Sequence, residues 1–131
     1  MKVLVDENLS PALAKALNAI FAGEHEVIHI RERFGPGVED RDWIERMSTD
    51  GRWIILSGDR RISKSRSTQT AFRNSRLIGF FLASALNSVR VTVQMQRILA
   101  LWEDIEAISK SVAGGAMYEL PIKGKIRQLR S

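Results

Sequence analysis

The chain has 131 residues, with 44% hydrophobic and 27% charged content, which suits one globular domain with a single core. It has no cysteine, which excludes disulfide frameworks and thiolate metal sites. The longest apolar run, from Leu77 to Leu86, is too short to span a bilayer, and acids interrupt the N-terminal apolar run. We therefore expect a soluble cytoplasmic protein with no membrane partner.

Charge is unevenly distributed along the chain. Residues 1–59 carry 7 Lys/Arg and 11 Asp/Glu, whereas residues 60–131 carry 13 Lys/Arg and 4 Asp/Glu. An acid-rich half and a basic half fit an acidic metal pocket beside a surface that binds a polyanion. The alternative is a basic protein whose Lys and Arg side chains are simply solvated.

Strand and helix patterns alternate along the chain. The first half predicts a strand at 2–5, a helix at 11–22, a strand at 25–30, a loop at 31–39, a helix following Asp40 and ending at Gly51, and a strand at 53–56. The second half predicts a helix near 68–74, a strand at 77–83, a long helix at 91–112, a strand at 116–122 and a basic tail. This alternation predicts an α/β fold, a single three-layer α/β/α domain over residues 1–131 with a mostly parallel sheet of about five strands.

Three acids stand where these elements begin or end. Asp6 ends the first strand and is followed by Glu7, Asp59 follows the third strand, and Asp40 lies where a loop enters a helix. Ligands of parallel sheets bind outside the carboxyl ends of the strands. Carboxylates that lie close together repel each other unless a cation lies between them. If strands one and three are neighbours, the three acids predict a site for Mg²⁺ or Mn²⁺.

Each acid also has a purely structural interpretation. Asp40 could be a helix N-cap, Asp42 could form a capping box with Glu45, and Asp59 could hold a turn. Asp6 is harder to explain in this way, because an Asp at the inner end of a buried strand needs a partner. The placement of all three acids on one predicted rim favours the metal site.

Three segments of the chain resemble the PIN-like domain family, in particular its short stand-alone branch, the VapC-type toxins of bacterial toxin–antitoxin modules. The segments are VLVDENL at 3–9, EDRDWI at 39–44 and IILSGDRRI at 54–62. The resemblance implies a PIN-like fold, for which we expect the strand order 2-1-3-4-5, and a metal-dependent ribonuclease that hydrolyses phosphodiesters in RNA.

The resemblance also implies a role for each candidate residue. Asp6 matches the family's first acid, Asp40 its helix acid and Asp59 the acid after the third strand, so these three are the expected catalytic metal ligands. The family's other helical Glu is missing, because the first helix here contains no acid. Glu7, Glu39 or Asp42 could fill this gap, and Glu7 is the fourth expected metal ligand. A binding module without catalytic activity is a second interpretation.

Further residues are expected to contact water, phosphate or RNA. Asn8 and Ser57 are candidates to orient a water molecule or a phosphate. Four basic residues after the third strand are candidates to bind RNA phosphates, namely Arg60, Arg61, Lys64 and Arg66. The alternative is that they belong to a solvated loop. The toxin resemblance implies a cognate antitoxin as a protein partner and raises a homodimer as another.

A phosphoacceptor receiver domain is the rival interpretation from another functional class. Such a domain has an acid pair after strand one, an Asp after strand three, a Ser or Thr after strand four and a Lys after strand five. Asp6, Glu7, Asp59, Ser84 and Lys123 reproduce this pattern. Against it, the acid at position 40 would have no role, and the lysine follows a proline instead of preceding one.

Overall fold

A six-stranded β-sheet forms the centre of the molecule. The computed structural model describes residues 1–58 and 65–129. The strands are β1 Lys2–Val5, β2 Glu26–His29, β3 Ile54–Ser57, β4 Ile78–Leu82, β5 Met117–Leu120 and β6 Arg127–Gln128. Their order is β2-β1-β3-β4-β5-β6; the first five are parallel and β6 is antiparallel to β5. The predicted α/β class and the strand order 2-1-3-4-5 are therefore confirmed, and the predicted tail adds the edge strand β6.

Helices cover both faces of this sheet. The described residues form α1 Pro11–Ile20, α2 Ile30–Phe34, α3 Asp40–Asp50, α4 Arg66–Arg73, α5 Ser84–Asn87, α6 Val91–Ala100 and α7 Trp102–Ser111. The helices α1, α6 and α7 pack on one face, and α2, α3 and α4 pack on the other. None of the helices within 1–58 and 65–129 has both the length and the apolar character needed to cross a membrane.

The two faces of the sheet follow from the alternation of side chains along β1 and β3. Val3 and Val5 belong to the core beneath α1, α6 and α7, whereas Leu4 belongs to the core beneath α2, α3 and α4. Because successive side chains of a strand point to opposite faces, the residue after Val5 faces the α3 side. The same alternation in β3 directs Ser57 to that side.

Three helical segments differ from the sequence prediction, and one of them, α5, was not predicted at all. The predicted loop at 31–39 begins with α2, because the ring Nδ1 of His29 accepts a hydrogen bond from the Arg31 N–H (3.2 Å) and caps this short helix. The predicted long helix at 91–112 is interrupted at Leu101, where the backbone leaves helical geometry.

Candidate active site at the carboxyl edge of the sheet

Asp6 lies directly after β1, at the carboxyl edge of the sheet and on its α3 side. Its backbone N–H donates to the Leu56 carbonyl (2.9 Å), which continues the pairing of β1 with β3. Its side chain is only 5% exposed. The Oδ1 atom accepts from the Glu7 N–H (2.7 Å), and Oδ2 accepts from the Ser57 hydroxyl (2.8 Å). These donors hold a nearly buried carboxylate in one orientation, as a buried charge requires.

Ser57 and Gly58 connect the end of β3 to the loop after β1. Ser57 is fully buried and uses its hydroxyl to hold Asp6, while the Asn8 Oδ1 accepts from the Gly58 N–H (3.2 Å). A Cβ atom at position 58 would collide with the Asn87 carboxamide, so the close approach of that side chain depends on glycine. These contacts therefore hold the end of β3 against the loop after β1.

Glu7 is held by the loop that follows α2. Its Oε1 accepts from the Gly37 N–H (3.0 Å) and from the Arg31 Nε (3.3 Å). The hydrogen bond from Gly37 and, to a smaller extent, the Arg31 guanidinium lower the pKa of the Glu7 carboxyl below its ordinary value of 4.5. Glu7 is therefore ionised at neutral pH, and one of its oxygens holds both α2 and the loop after it.

A polar pocket of about 330 Å³ joins the end of β1 to the start of α3. Asp40 is the first residue of α3, and its Oδ1 accepts from the Nε1 of the buried Trp43 (3.1 Å). Carboxylates in the first turn of a helix interact favourably with the helix dipole. Four of the predicted site residues line this pocket, namely Asp6, Glu7, Asn8 and Asp40. Glu39 also lines it.

The structural alternatives for the acids near α3 are not what is observed. Glu39, rather than Asp40, occupies the N-cap position of α3, and it makes no side-chain capping bond. Asp42 forms an ion pair with Arg46 one turn later (3.2 Å) instead of a capping box with Glu45, and it does not line the pocket. Of the three residues considered for the missing helical acid, Glu7 and Glu39 therefore reach the pocket.

Several predicted site residues lie outside the described part of the chain, namely Asp59, Arg60, Arg61 and Lys64. Arg66, the remaining predicted RNA contact, is exposed and begins α4.

Two residues near this edge of the sheet were not predicted as site residues from the sequence. His29 is buried, and its Nε2 lies 2.9 Å from the Leu9 carbonyl, which ties β2 to the loop that carries Asn8. The sequence places His29 inside the predicted strand at 25–30, where no local pattern marks it as part of a site. Asn87 lies beyond β4, where the rule on carboxyl ends of strands could have drawn attention to it.

The donor set of the pocket is suited to a hard divalent cation. Mg²⁺ and Mn²⁺ prefer oxygen ligands, and Asp6 and Asp40 offer carboxylates at the same pocket. Within residues 1–58 and 65–129, no three His, Asp or Glu side chains are grouped closely enough to hold a metal ion by themselves. The described residues therefore fit such an ion in chemistry, and the predicted set also requires Asp59.

Comparison with known proteins gives one finding. A family model described as a PIN like domain matches residues 1–84, which is more than half of the chain and includes β1 to β4. No curated protein and no solved structure matches the chain. The matched region contains every residue of the three segments on which the resemblance was based.

Proposed function

Because this chain belongs to the PIN-like domain family, we propose that it is a metal-dependent ribonuclease. Proteins of this family are often nucleases that use divalent metals. The observation that supports the proposal is the polar pocket at the carboxyl edge of the sheet, which Asp6 and Asp40 line together although 34 positions separate them in the sequence. A pocket with convergent acids at this edge is where an α/β fold binds its ligand.

In the proposed site, Asp6, Asp40 and Asp59 hold the divalent cation. When bound, a cation of this kind polarises a phosphoryl oxygen and lowers the pKa of its water ligand. The chain's own residues keep the carboxylates in place: the Ser57 hydroxyl and the Glu7 N–H orient Asp6, and the Trp43 indole orients Asp40. Hydrogen bonds of this kind to the carboxylates keep metal ligands in a productive geometry.

The basic residues after β3 supply the proposed contacts to RNA. Arg60, Arg61, Lys64 and Arg66 follow directly on the third predicted acid in the sequence. Lys and Arg side chains neutralise phosphates and so position a nucleic acid strand without reading its bases. We propose that these residues bind phosphates beside the bond that is cleaved.

Cleavage of a labelled single-stranded RNA in the presence of Mg²⁺ or Mn²⁺ tests the function. We expect Asp6→Asn, Asp40→Asn and Asp59→Asn each to reduce the cleavage rate by at least about 100-fold, because each variant weakens the electrostatic stabilisation at the reacting phosphate. Chelation by EDTA should abolish cleavage, and Mn²⁺ should restore it.

Asp104→Asn is the matched control, because Asp104 is an exposed Asp on α7, on the opposite face of the sheet. Its cleavage rate should equal that of the unmodified protein. Unchanged cleavage by Asp6→Asn and Asp59→Asn, with both variants shown to be folded by circular dichroism, would contradict the proposed mechanism.

The resemblance to short stand-alone toxins supports a more specific proposal, that the ribonuclease is the toxin of a type II toxin–antitoxin module. Expression of the chain in a bacterial host should then arrest growth, and Asp6→Asn should relieve the arrest. Co-expression of the protein encoded beside it, the proposed antitoxin, should also relieve the arrest. If the chain is an active ribonuclease but its expression leaves growth unaffected, only the toxin role is contradicted. The homodimer stays a prediction.

A further inference from the structure

Arg41 and Arg66 line a wide cleft between α3 and α4, beside the pocket of Asp6 and Asp40. The cleft has a volume of about 870 Å³. The helices α3 and α4 pack on the same face of the sheet. Because Arg41 directly follows Asp40 at the start of α3, one end of the cleft adjoins the acidic pocket.

The lining of this cleft is rich in groups that form hydrogen bonds. Ser67 and Thr70 of α4, and Asn74 directly after it, are spaced so that they share one face, and all three side chains are exposed. Hydroxyl and carboxamide groups donate and accept hydrogen bonds. The lining therefore lacks the largely apolar character of a site for a hydrophobic small molecule.

The two arginines of the cleft carry positive charge that the described part of the chain does not neutralise. Neither Arg41 nor Arg66 makes a side-chain hydrogen bond or ion pair within residues 1–58 and 65–129, whereas the neighbouring Arg46 is paired with Asp42 (3.2 Å). Residues 60–76 contain six Lys/Arg and no Asp/Glu. The segment of sequence that carries α4 is therefore strongly basic, and such a segment attracts a polyanion.

We propose that the cleft between α3 and α4 binds the sugar–phosphate backbone of the single-stranded RNA that flanks the cleaved bond, a proposal that rests on the ribonuclease function. Arg41 and Arg66 bind phosphates, for which the guanidinium fork is well shaped. Ser67 and Thr70 contact phosphate or 2′-hydroxyl oxygens. The 11 residues of α3 extend about 16 Å, enough for several stacked nucleotides that rise about 3.4 Å each.

Glu45 is the one acid among the described residues that line the cleft. Its negative charge opposes a phosphate that lies nearby. It therefore limits the affinity of the cleft for any polyanion, and its removal should strengthen binding. Glu45→Gln thus changes the charge of the cleft in the direction opposite to an arginine deletion.

The binding of a fluorescein-labelled single-stranded RNA, followed by fluorescence anisotropy in EDTA over a range of KCl concentrations, tests this proposal without any cleavage. Each phosphate contact with a single strand contributes about −0.7 to the slope of log K against log salt. The double variant Arg41→Ala/Arg66→Ala should therefore lose about 1.4 from the slope and bind about 25-fold more weakly at 0.1 M salt. Glu45→Gln should bind more tightly than the unmodified protein.

Matched controls come from the opposite helix layer. Arg90→Ala removes an exposed guanidinium beside α6, and Glu103→Gln neutralises an exposed acid of α7; both should leave the affinity and the slope unchanged. The variant Arg41→Lys/Arg66→Lys should keep the slope, because it keeps both charges. Thermal melts should show that all variants fold, since the substituted side chains are exposed.

Three outcomes would overturn the proposal: no RNA binding by the metal-free protein, an unchanged slope in the double alanine variant, or equal displacement of RNA by poly-glutamate. The last result would identify the cleft as a site for an acidic polypeptide. Failure of the ribonuclease function is a separate observation, because it appears in the cleavage rates of the Asp6 and Asp59 variants. An active ribonuclease whose double arginine variant binds RNA normally would contradict only the proposed cleft.

Discussion

Glu7 shows how single donors set the charge state of a pocket residue. The Gly37 N–H and the Arg31 guanidinium both favour the ionised carboxylate and lower its pKa. A lowered pKa in the folded state means that the interaction stabilises the fold above the pKa of the unfolded chain, near 4.5. That stabilisation is lost as the pH falls through the lower pKa of the folded protein.

The first prediction concerns this titration. Arg31→Met should raise the pKa of Glu7 towards 4.5 without restoring it fully, because the larger contribution from the Gly37 N–H remains. A pH titration of the Glu7 carboxyl carbon by NMR measures the change. Arg33→Met is the control, since Arg33 pairs with Asp50 (3.2 Å) and not with Glu7. An unchanged Glu7 pKa in Arg31→Met would show that the pair does not form in solution.

At the scale of the secondary-structure elements, His29 joins β2 to α2 and to the loop between β1 and α1. Its Nδ1 accepts from the first turn of α2, so its Nε2 carries the hydrogen and donates to the Leu9 carbonyl in the loop between β1 and α1. His29→Leu keeps much of the side-chain volume but removes both contacts. We expect the free energy of unfolding to fall by about 2–3 kcal/mol, because buried polar groups lose their partners.

Urea unfolding measures this effect. His29→Gln is the informative second variant, because its carboxamide can still donate to the Leu9 carbonyl and should recover part of the loss. If His29→Leu were as stable as the unmodified protein, the two hydrogen bonds would not contribute to the fold.

Gly79 of β4 leaves space for two aromatic rings to pack together, one from α4 and one from β4. Its missing side chain leaves space for Phe81 and Phe72, whose rings pack edge to face at 6.2 Å between centroids. A Cβ atom at this position would lie 2.5 Å from a Phe81 ring carbon and 3.0 Å from Phe72, and both rings are fully buried. We expect Gly79→Ala to lower the unfolding free energy by about 1–3 kcal/mol through overpacking.

Gly51→Ala is the matched control for this substitution. Gly51 ends α3 with an extended backbone, and a Cβ atom there would meet no atom within 4 Å. Its unfolding free energy, measured by the same denaturant titration, should be unchanged or slightly higher, because alanine reduces the entropy of the unfolded chain. Equal stabilities of the two alanine variants would refute the packing argument.

The elements that the sequence predicted well are those whose signals are local. The Ser10–Pro11 pair marked the start of α1, where the Ser10 hydroxyl does accept from the Ala12 N–H (3.1 Å). The apolar run before Ser57 marked a strand that is buried on both faces. The helix α2 was missed, because its capping group is the ring of His29, which is not a typical N-cap residue.

The same distinction applies to the candidate site. Asp6 and Asp40 could be identified because each stands at a strand or helix end, and the strand order then brings them to one pocket. The position of Asn87 against Gly58 depends on how the β4–α5 connection packs, which no local pattern specifies. The cleft that Arg41 and Arg66 line likewise arises from the spacing between α3 and α4, which no local pattern specifies.

At the scale of the whole molecule, the acidic pocket and the basic cleft lie side by side on the α3 layer. In the proposed function, a cation offsets the repulsion between the carboxylates of the pocket, and the cleft is proposed to bind a polyanion. Metal binding should therefore be linked to the stability of the entire fold, since a ligand that binds only the native state shifts unfolding by mass action.

The last prediction is a rise in melting temperature with Mn²⁺ or Mg²⁺ in the absence of RNA. At 100 times the dissociation constant of the ion, the gain in unfolding free energy should be about 2.7 kcal/mol. Differential scanning calorimetry across a metal titration measures it. Asp6→Asn and Asp40→Asn should abolish the rise, whereas Asp104→Asn, on the opposite layer, should retain it. A rise that persists in both pocket variants would place the ion elsewhere on the molecule, because each variant removes one carboxylate ligand of the proposed site.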